Sequence, residues 1–566
     1  MPKHKMVHKK QLTLKGFLGR EALAREGWGR LANFKVFLTL LMLVLLARLF
    51  YLTVIRGSAS RQLADENRIR YQEVEAARGK ILDRHGNVLA ESREKFFQEI
   101  GGQSHEVTGM QADDLEASGL AGENFLGELG RIRREVVREY PYGQTLSHAL
   151  GYMSRVQEED LAKGKNLSNI DFVGRLGVEE IYDQVLRGQN GARVVEVDAS
   201  EGIIALLAAV DGDPGADLET TLDLELSEKV YNAMSAALLR SSVEAGAVVV
   251  SRVDTGEILA LASAPAFDPD KVGQAVVDPR QPLFNRAITG AYTPGSVFKI
   301  VTAVAGLASG KITPETEIED VGEFSIGDFK FSNWYFLNYG GRDGILKIDR
   351  AIARSNDIFF YRLGERVGLS DLRKWAVAFG FSKATGIDLP AEASGIVGDE
   401  LWKIANRGES WFLGDTMHLA IGQGFIEATP IQVNMATATV ANGGRKVTPH
   451  LALRVRQDGR VTDIKVRSST LPVAQSTLKI VREGMKLACE RGGTAWPFFN
   501  ASYLVGCKTG TAEKAQGNPH AWFTAFAPYE SPEIAITVII ENGGEGSTVA
   551  APVAKEILDW YFAKDK

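Results

Sequence analysis

Three short motifs in the second half of the chain carry side chains that could together perform acyl transfer through a serine. In the first, Ser296 is followed three residues later by Lys299, a spacing that puts both side chains on one face of a helix. There the lysine amine could take the hydroxyl proton and make the oxygen nucleophilic. The same spacing occurs twice more, among ordinary polar residues, in the pairs Ser92 with Lys95 and Ser476 with Lys479.

The surroundings of Ser296 distinguish it from the other two serines. Pro294 and Gly295 mark the start of a helix, and apolar residues fill the positions between and after Ser296 and Lys299. A serine in the first turn lies in the positive field of the helix N-terminus, which helps to keep the lysine neutral and able to act as a base. We therefore predict that Ser296 is the nucleophile.

Two further motifs could complete such a site. A serine, an amide and a carboxylate stand just before an apolar run, at Ser355, Asn356 and Asp357. A cation, two hydroxyls and a glycine follow an apolar stretch typical of a β-strand, at Lys508, Thr509, Gly510 and Thr511. A glycine in a strand marks a place where another backbone, such as that of a substrate, can approach closely. Together and in this order, the three motifs are much more specific than any one alone.

The elements around these motifs predict an α+β catalytic domain. Hydrophobic periodicity predicts a helix and two strands at its start, over residues 224–239, 245–253 and 258–263. Later helices and strands alternate without regular βαβ spacing. Upstream, residues 83–87 predict a hairpin turn and 191–210 predict strands. The dense turn at 211–215 is the predicted boundary, so the catalytic domain is expected over 216–566.

The N-terminal segment has its own pattern of charge and hydropathy. Residues 1–30 hold eight Lys or Arg against two Glu, and Arg48 is the one charge in the apolar run 36–55. At about 1.5 Å rise per residue, a helix of this length spans the roughly 30 Å hydrocarbon core. We expect a cytoplasmic basic tail over 1–33 and a transmembrane anchor over 34–56, since basic flanks stay inside the cell. A buried core helix and a cleaved signal peptide are the alternatives.

Composition excludes several classes of protein. The chain has 566 residues, is 45% hydrophobic and 24% charged, and carries a formal net charge of −6. These values are typical of a folded protein of several domains and argue against a basic nucleic-acid binder. Two cysteines and eight scattered histidines form no zinc-binding pattern. We expect no cofactor and no nucleic-acid partner.

The trio of motifs resembles that of class B penicillin-binding proteins, membrane-anchored D,D-transpeptidases of peptidoglycan. Further matches run from about residue 60 to the C-terminus, notably in the stretches 78–87, 140–143, 174–179, 422–424, 429–432, 523–529 and 541–544. The last two stretches and the acidic Asp357 are most similar to the elongation type. The resemblance implies an α+β multidomain fold. It would have a single N-terminal transmembrane helix, a β-rich pedestal over 57–215, and a transpeptidase domain whose central antiparallel sheet is flanked by helices.

The resemblance also implies a role for each motif residue. Ser296 would attack the D-Ala-D-Ala bond of a stem peptide with Lys299 as its base, and Ser355 would relay a proton to the departing D-Ala. Asp357 would orient Lys299 or the substrate amide, and its charge would oppose neutralisation of Lys299. Backbone N–H groups of Ser296 and Thr511 would form the oxyanion hole. The third motif would bind the terminal carboxylate of the stem peptide through Lys508, Thr509, Gly510 and Thr511. A β-lactam imitates this carboxylate.

Two expectations concern metals and cysteines. Some relatives of the elongation type hold a metal through a Cys inside the second motif and a nearby His. Here that position is Asn356, and the stretch 334–349 has neither residue type, so we expect no metal. Cys489 and Cys507 could pair in an oxidising compartment. Because Cys507 lies beside the catalytic strand, we expect two buried thiols instead.

Three functions are compatible with these observations. The first is a serine-type, monofunctional D,D-transpeptidase of wall elongation, or of division, anchored in the cell membrane with its catalytic domain outside. Since no glycosyltransferase motif is recognisable, the resemblance implies a membrane glycosyltransferase of the SEDS family and other elongation-complex proteins as partners. The second is a β-lactam-hydrolysing or β-lactam-sensing protein on the same active site, which would need a water-activating residue. The third is chiefly a structural activator of the glycosyltransferase. We expect the first.

Overall fold

The computed structural model describes residues 15–100, 103–111, 131–162, 167–168, 170–197, 203–514 and 516–564. The described residues form two compact units. The first unit runs to Val74 and also includes the described part of 192–210, and the second unit includes the described parts of 75–191 and 211–564. The three motifs all lie in the second unit.

Most helices are regular α-helices, but the helix Asp357–Phe379 is kinked at Gly368, whose φ is 77°. Tyr51–Ile55 is π-helical, and there are also short 3₁₀ turns. In chain order they are α1 Lys15–Phe50, α2 Gly57–Arg68, α3 Ser147–Leu150, α4 Glu158–Ala162, α5 Gly177–Ile181, α6 Asp183–Leu186, α7 Leu224–Ser241, α8 Val272–Val277, α9 Lys299–Ala308, α10 Trp334–Tyr339, α11 Ile348–Arg354, α12 Asp357–Phe379, α13 Glu400–Arg407, α14 Leu413–Ala420, α15 Pro430–Ala441, α16 Gln475–Cys489 and α17 Ala550–Lys564.

The strands range from two residues to the 13 residues of Val88–Ile100, and those of the central sheet have seven or eight. In chain order they are β1 Ile69–Val74, β2 Ile81–Leu82, β3 Val88–Ile100, β4 Gln103–Val107, β5 Arg131–Glu139, β6 Met153–Arg155, β7 Phe172–Gly174, β8 Gly191–Val197, β9 Ile203–Val210, β10 Asp217–Thr220, β11 Gly246–Arg252, β12 Ile258–Ala264, β13 Ile318–Asp320, β14 Glu323–Ile326, β15 Phe329–Ser332, β16 Gly344–Leu346, β17 Ile396–Val397, β18 Ile426–Glu427, β19 Arg445–Val447, β20 Ala452–Gln457, β21 Arg460–Asp463, β22 Ser468–Thr470, β23 Gly506–Ala512, β24 His520–Ala527 and β25 Ile534–Ile540.

The first unit contains the apolar N-terminal helix and a small sheet. Among the described residues, the segment Leu31–Ile55 is the one helix long and apolar enough to cross a membrane, and its apolar side chains are exposed. The Arg48 guanidinium lies 5.4 Å from the centre of the Tyr51 ring, a distance typical of a cation–π contact. Strands β1, β8 and β9 form a three-stranded sheet in that order.

A seven-stranded sheet runs through the second unit and crosses the predicted boundary at residue 215. Its order is β21-β20-β10-β2-β3-β4, with β5 paired to β3. The predicted hairpin turn at 83–87 is confirmed, since β2 and β3 pair antiparallel around it. Strand β10, just after the boundary, places Leu218 opposite Ile81 of β2 and Val455 of β20. The division into a pedestal over 57–215 and a domain over 216–566 stays a prediction.

A buried group of charges, here called the pedestal cluster, ties the start of this sheet to α5 and α6. It consists of Arg78, Arg138, Glu179 and Asp183, all less than a tenth exposed. Arg78 donates to Glu179 at 2.7 Å and to Asp183 at 2.9 Å, and Arg138 donates to Glu179 at 2.8 Å. Two cations and two carboxylates therefore neutralise each other inside the protein, where unpaired charges would be very costly.

The predicted central antiparallel sheet flanked by helices is confirmed. Its order is β12-β11-β25-β24-β23, and every neighbouring pair is antiparallel. Successive side chains of a strand point to opposite faces, so Val248 joins the apolar core on one face and Val249 the core on the other. Helices α7 and α17 cover the first face, and α9 and α15 contribute to the second core. Burial on both faces explains the nearly continuous apolar sequence of β11 and β25.

The cysteines correct one expectation. Cys489 at the end of α16 and Cys507 in β23 form a disulfide, with their Cα atoms 6.0 Å apart, and are not two free thiols. Both side chains are buried. Burial was visible in the sequence, but it fits a thiol and a disulfide equally well. The deciding fact is that the end of α16 lies against β23, and no local sequence pattern predicts that contact.

Candidate active site

The Ser296 turn is held between a glycine-rich loop and the third motif. Ser296 lies in the 3₁₀ turn Gly295–Phe298, which continues directly into α9. The Gly295 amide donates a 2.8 Å hydrogen bond to the carbonyl oxygen of Gly422. Gly295 has a φ of 57°, and a Cβ at this position would lie 2.7 Å from the Thr511 carbonyl oxygen. A glycine is therefore required for the turn to pack this closely on β23.

The second motif forms the joint between two helices. Ser355 ends α11 with a left-handed φ of 52°. Asn356 is the N-cap of α12, and its side-chain oxygen accepts a 2.8 Å hydrogen bond from the Phe359 amide. Asp357 is the first residue of α12. The abrupt change of backbone direction lets three consecutive residues make three different sets of contacts.

Four motif residues, here called the catalytic cluster, are joined by direct hydrogen bonds: Lys299, Ser355, Asp357 and Lys508. The Lys299 Nζ donates to Asp357 Oδ1 at 2.7 Å, to the Ser355 carbonyl at 2.7 Å and to Ser355 Oγ at 3.4 Å. The Lys508 Nζ donates to Ser355 Oγ at 2.8 Å and to the Thr509 carbonyl at 2.8 Å. The Ser355 hydroxyl thus lies between two amines and accepts from both.

Burial makes both lysines weaker bases than an exposed lysine. Desolvation lowers the pKa of Lys299, and the Asp357 carboxylate partly opposes this effect. The pKa of Lys508 lies well below its ordinary value, because the side chain is buried and because Lys299 is nearby, with Asp357 again opposing. The pair of amines therefore tends to lose a proton at much lower pH than free lysine, which is the condition for acting as a base.

The third motif lies on the edge strand β23. Its inner neighbour is β24, so the other side of the β23 backbone is not covered by the central sheet. The Thr509 hydroxyl lies 2.7 Å from the Thr494 hydroxyl. A Cβ on Gly510 would lie 3.0 Å from both Val297 and Trp522 side chains. This glycine therefore has a packing reason in addition to any contact with a substrate.

A cavity of about 690 Å³ lies over these residues. It is lined by motif residues and by aromatic and acidic side chains that the sequence did not single out, among them Ser296, Ser355, Asp357, Thr509, Gly510, Thr511, Trp334, Tyr361, His418, Trp496, Glu513 and Glu545. Lys299 and Lys508 are fully buried beneath its surface. Within the described part of the chain, the Ser296 hydroxyl has no hydrogen-bond partner, so it is available to a bound molecule.

Two protein-family models match this chain. Residues 246–559, more than half of the chain, match the penicillin binding protein transpeptidase domain, and residues 129–220 match the penicillin-binding protein dimerisation domain. The chain belongs to the penicillin-binding protein transpeptidase family. The predicted resemblance is therefore confirmed.

Relatives within this family match nearly the whole chain. The peptidoglycan D,D-transpeptidase MrdA of Acinetobacter baumannii is 31% identical, over 93% of this chain and 86% of its own length. The structure of Pseudomonas aeruginosa PBP2 in complex with WCK 5153 has a TM-score of 0.70 and 31% identity, and covers 87% of this chain and 96% of its own. A chain from a peptidoglycan synthase complex that coordinates polymerization and crosslinking has a TM-score of 0.76 and 28% identity, covering 94% and 98%.

The other two Ser-Lys pairs lie elsewhere in this penicillin-binding protein. Ser92 is in strand β3, where residues three apart point to opposite faces. Ser476 is exposed in the first turn of α16. The described lining of the cavity contains neither serine.

Sequence reasoning missed the residues that support the second motif. The Trp334 amide donates to Asp357 Oδ2 at 3.0 Å, and the Asn333 side-chain oxygen accepts from the Asp357 amide at 3.2 Å. The alternating segment 323–332 could have revealed them, because it forms the hairpin β14–β15 around a Gly-Asp turn. A hairpin brings its flanks together, and here the flanks are Asp320 and Asn333.

Proposed function

We propose that this protein is an elongation-type peptidoglycan D,D-transpeptidase that cross-links stem peptides through an acyl-enzyme on Ser296. The observation that carries the proposal is the position of the Ser355 hydroxyl between the amines of Lys299 and Lys508, beside a cavity that also exposes Ser296. The similarity to MrdA over most of both chains supports the same substrate class.

Acylation would begin with proton transfer from Ser296 to a neutral Lys299. The serine oxygen attacks the carbonyl carbon between the two D-Ala residues, and the tetrahedral intermediate then expels the terminal D-Ala. The departing amine needs a proton. Ser355 can donate its own hydroxyl hydrogen, because it accepts from Lys508 and can be reprotonated by that side chain. The products are a serine ester of the donor peptide and free D-Ala.

The negative charge on the tetrahedral oxygen would be stabilised by the backbone. Early N–H groups of a helical turn lack partners within the helix, and Ser296 lies in such a turn. Thr511 lies on the edge strand beside it. The N–H groups of these two residues would form the oxyanion hole, where one donor contributes about 2.7–4 kcal/mol to catalysis in comparable sites.

The terminal carboxylate of the donor peptide would be bound in two ways, by direct contact with hydroxyl groups and by the charge of a buried lysine. Thr509 and Thr511 line the cavity, so their hydroxyls can contact the carboxylate, and Gly510 leaves room between them. Lys508 is fully buried, and its lowered pKa makes the protonated form less populated in the free protein. A bound carboxylate would favour that form again, so that Lys508 supplies positive charge from below. A β-lactam presents the same carboxylate and would acylate Ser296. Transfer of the acyl group to an amine of a second stem peptide then completes the cross-link.

The rest of the chain would place this activity at the membrane. We assign a cytoplasmic tail to 1–33, an anchor to 34–56, a pedestal to 57–215 and an extracytoplasmic transpeptidase domain to 216–566. The helix Leu31–Ile55 supports the anchor. The similarity to a chain of a synthase complex supports a SEDS-type glycosyltransferase as partner in the inner membrane, with other elongation proteins. The chain itself would be monofunctional.

Intact-mass analysis after incubation with benzylpenicillin tests the chemistry. We expect one stable adduct on the wild type and none on Ser296→Ala, whereas Ser476→Ala, a matched variant of an exposed Ser-Lys pair, keeps the adduct. An adduct that persists in Ser296→Ala would refute the assignment. Rapid release of penicilloic acid by the wild type would instead favour the β-lactam-hydrolysing alternative.

Complementation tests the cellular role. Expression in a rod-shaped host depleted of its elongation transpeptidase should restore rods, and Ser296→Ala should not. Rescue of a host depleted of its division transpeptidase, without rescue of rod shape, would assign the protein to division.

A further inference from the structure

A buried group of polar residues lies behind the second motif and takes part in none of the proposed chemical steps. It consists of Asp320, Asn333, Asp343, Arg354 and Asn356, here called the support cluster. Asp320, Asn333 and Asn356 are at most 3% exposed. They come from three separate elements: the end of β13, the start of α10 and the joint between α11 and α12.

Asp320 is the centre of this cluster. Its Oδ2 accepts from the side-chain amides of Asn333 at 2.8 Å and Asn356 at 2.9 Å, and from the Asp343 backbone at 2.9 Å. Its Oδ1 accepts from the Gly322 amide at 2.8 Å. Four hydrogen bonds to one buried carboxylate, three of them to Oδ2, hold its negative charge without a cationic partner among these donors.

The cluster continues from Asp320 to the reactive residues. Asn333 accepts from the Asp357 backbone, and Asn356 caps α12, whose first residue is Asp357. Asp357 in turn accepts from Lys299 at 2.7 Å. Asp320 is therefore two hydrogen bonds away from the backbone amide of Asp357, the residue whose carboxylate contacts the proposed base.

The donor set does not fit the metal that some relatives hold at this position. The described cluster contains neither Cys nor His, and its two side-chain amides direct N–H groups at Asp320. The second carboxylate, Asp343, accepts from the Arg354 guanidinium at 2.8 Å and from Asn356 at 3.1 Å. A divalent cation would have to displace these donors and lie beside a guanidinium, which its charge opposes.

We propose that side-chain hydrogen bonds alone fix the second motif in this protein, and that Asp320 is the positioning residue that holds Asp357 against Lys299. The inference rests on the proposed acylation of Ser296. Its failure is distinguishable, because a wild type that is not acylated would refute the proposed function, whereas a wild type that is acylated but insensitive to Asp320 would refute this inference alone.

Asp320→Asn is the direct test, because it keeps the shape of the side chain. It replaces one carboxylate oxygen by an NH₂ group, which cannot accept the hydrogen bonds that the surrounding groups donate. A matched control is Asp83→Asn. Asp83 is also fully buried and also accepts four hydrogen bonds, from His85, Leu224 and twice from Asn87. None of these partners belongs to the three active-site motifs. The two variants remove similar interactions, one behind the site and one in the hairpin of β2 and β3.

The expected difference is in the acylation kinetics of the folded protein. With a fluorescent penicillin, the maximal rate of Asp320→Asn should fall roughly 10- to 100-fold, the usual effect of small misplacements at a reacting group. The charged groups facing Lys299 are Asp357 of α12 and Lys508 of β23. A looser Asp357 opposes proton loss from Lys299 less, so the acidic limb of the pH–rate profile should move to lower pH.

Several results would overturn the proposal. A merely structural role predicts that both variants lose thermal stability alike and that the folded fraction keeps the wild-type pH profile. If Asp320→Asn does not fold, Asn333→Ala removes the next link and must give the same kinetic change. Stoichiometric zinc, or another metal, in the purified wild type, with acylation lost on chelation and restored on addition, would also refute it. We expect unchanged acylation after treatment with EDTA.

Discussion

Two buried clusters of charge lie in the same compact unit, and they are balanced differently. The pedestal cluster opposes two buried arginines to two carboxylates, and the partly exposed Arg187 lies 3.3 Å from Asp183 at its edge. The catalytic cluster opposes two lysines to one carboxylate, Asp357. Guanidinium groups keep their proton in proteins, whereas an ammonium group gives it up when burial is not compensated.

The balance of charge decides which protonation state each cluster favours. Burial alone would lower the pKa of Arg78, but Glu179 and Asp183 raise it above its ordinary value, and the two arginines lower the pKa of Glu179 despite its burial. In the catalytic cluster burial prevails, and the pKa of Lys299 and that of Lys508 both fall. In the pedestal cluster the neighbouring carboxylates outweigh burial and keep Arg78 charged. In the active site the single carboxylate does not outweigh burial, so the lysines can exchange protons.

Of the substitutions that test this difference between the two clusters, removal of the proposed base, Lys299, should have the largest effect. Lys299→Ala should lower the rate of acylation by a fluorescent penicillin by about 10²- to 10⁴-fold, the usual contribution of a general base. Lys479→Ala is the matched control, since this lysine is exposed in another Ser-Lys pair. Normal acylation of a folded Lys299→Ala protein would contradict the role of the catalytic cluster.

A substitution in the pedestal cluster should lower the free energy of unfolding and leave the rate of acylation unchanged. Glu179→Gln leaves Arg138 buried without its carboxylate, and removing one partner of a buried ion pair usually costs about 3–5 kcal/mol. Urea unfolding measures this loss, with the exposed neighbour Glu180→Gln as control. At a urea concentration of zero, the folded fraction of Glu179→Gln should be acylated at the wild-type rate. A slower rate would mean that the two clusters are coupled.

The disulfide should stabilise the part of the protein around β23, the strand that carries the third motif. The two cysteines are 18 positions apart in the sequence, so loss of the bond should lower the free energy of unfolding by roughly 3 kcal/mol, chiefly through the unfolded chain. Unfolding of the Cys489→Ala/Cys507→Ala protein and of the wild type with reductant should give the same decrease. Two thiols that react with a maleimide in the unfolded, unreduced wild type would show that the bond is absent.

The smallest effect concerns the single carboxylate of the catalytic cluster. Asp357 opposes the fall in the pKa of Lys299, so Asp357→Asn should lower that pKa further. Since the neutral amine is the active form, the acidic limb of the acylation profile should move to lower pH. Stopped-flow acylation across a pH series measures it. A shift to higher pH would mean that Asp357 does not act on Lys299 through its charge.

The sequence predicted what local patterns encode. The helix at 224–239 corresponds to α7, and the strands at 245–253 and 258–263 correspond to β11 and β12. The three motifs were found because each is a short run whose residue types have a chemical meaning by themselves. The apolar segment 36–55 was found because length and hydropathy are sufficient signals.

What the sequence did not predict depends on contacts between distant segments. The disulfide needs α16 to end against β23, and the support cluster needs Asp320 to meet Asn356, which is 36 residues later. The pedestal cluster joins Arg78 to Glu179 across 101 residues. A polar residue in an apolar context is visible in a sequence, but its partner is not, because the partner is chosen by the packing of whole elements.

The parallel pairing of β10 with β2 has a practical consequence for building chimeras of this protein. Residues 211–215 are the obvious junction in the sequence, yet the strand directly after them is hydrogen-bonded on one side to the hairpin of β2 and β3 and on the other to β20. A donor segment that ends at residue 215 would leave β10 behind between its own partner β20 and the foreign strand β2. Exchange of this region between relatives should therefore carry β10, β20 and β21 together with residues 75–191, so that the recombined unit inherits one complete sheet.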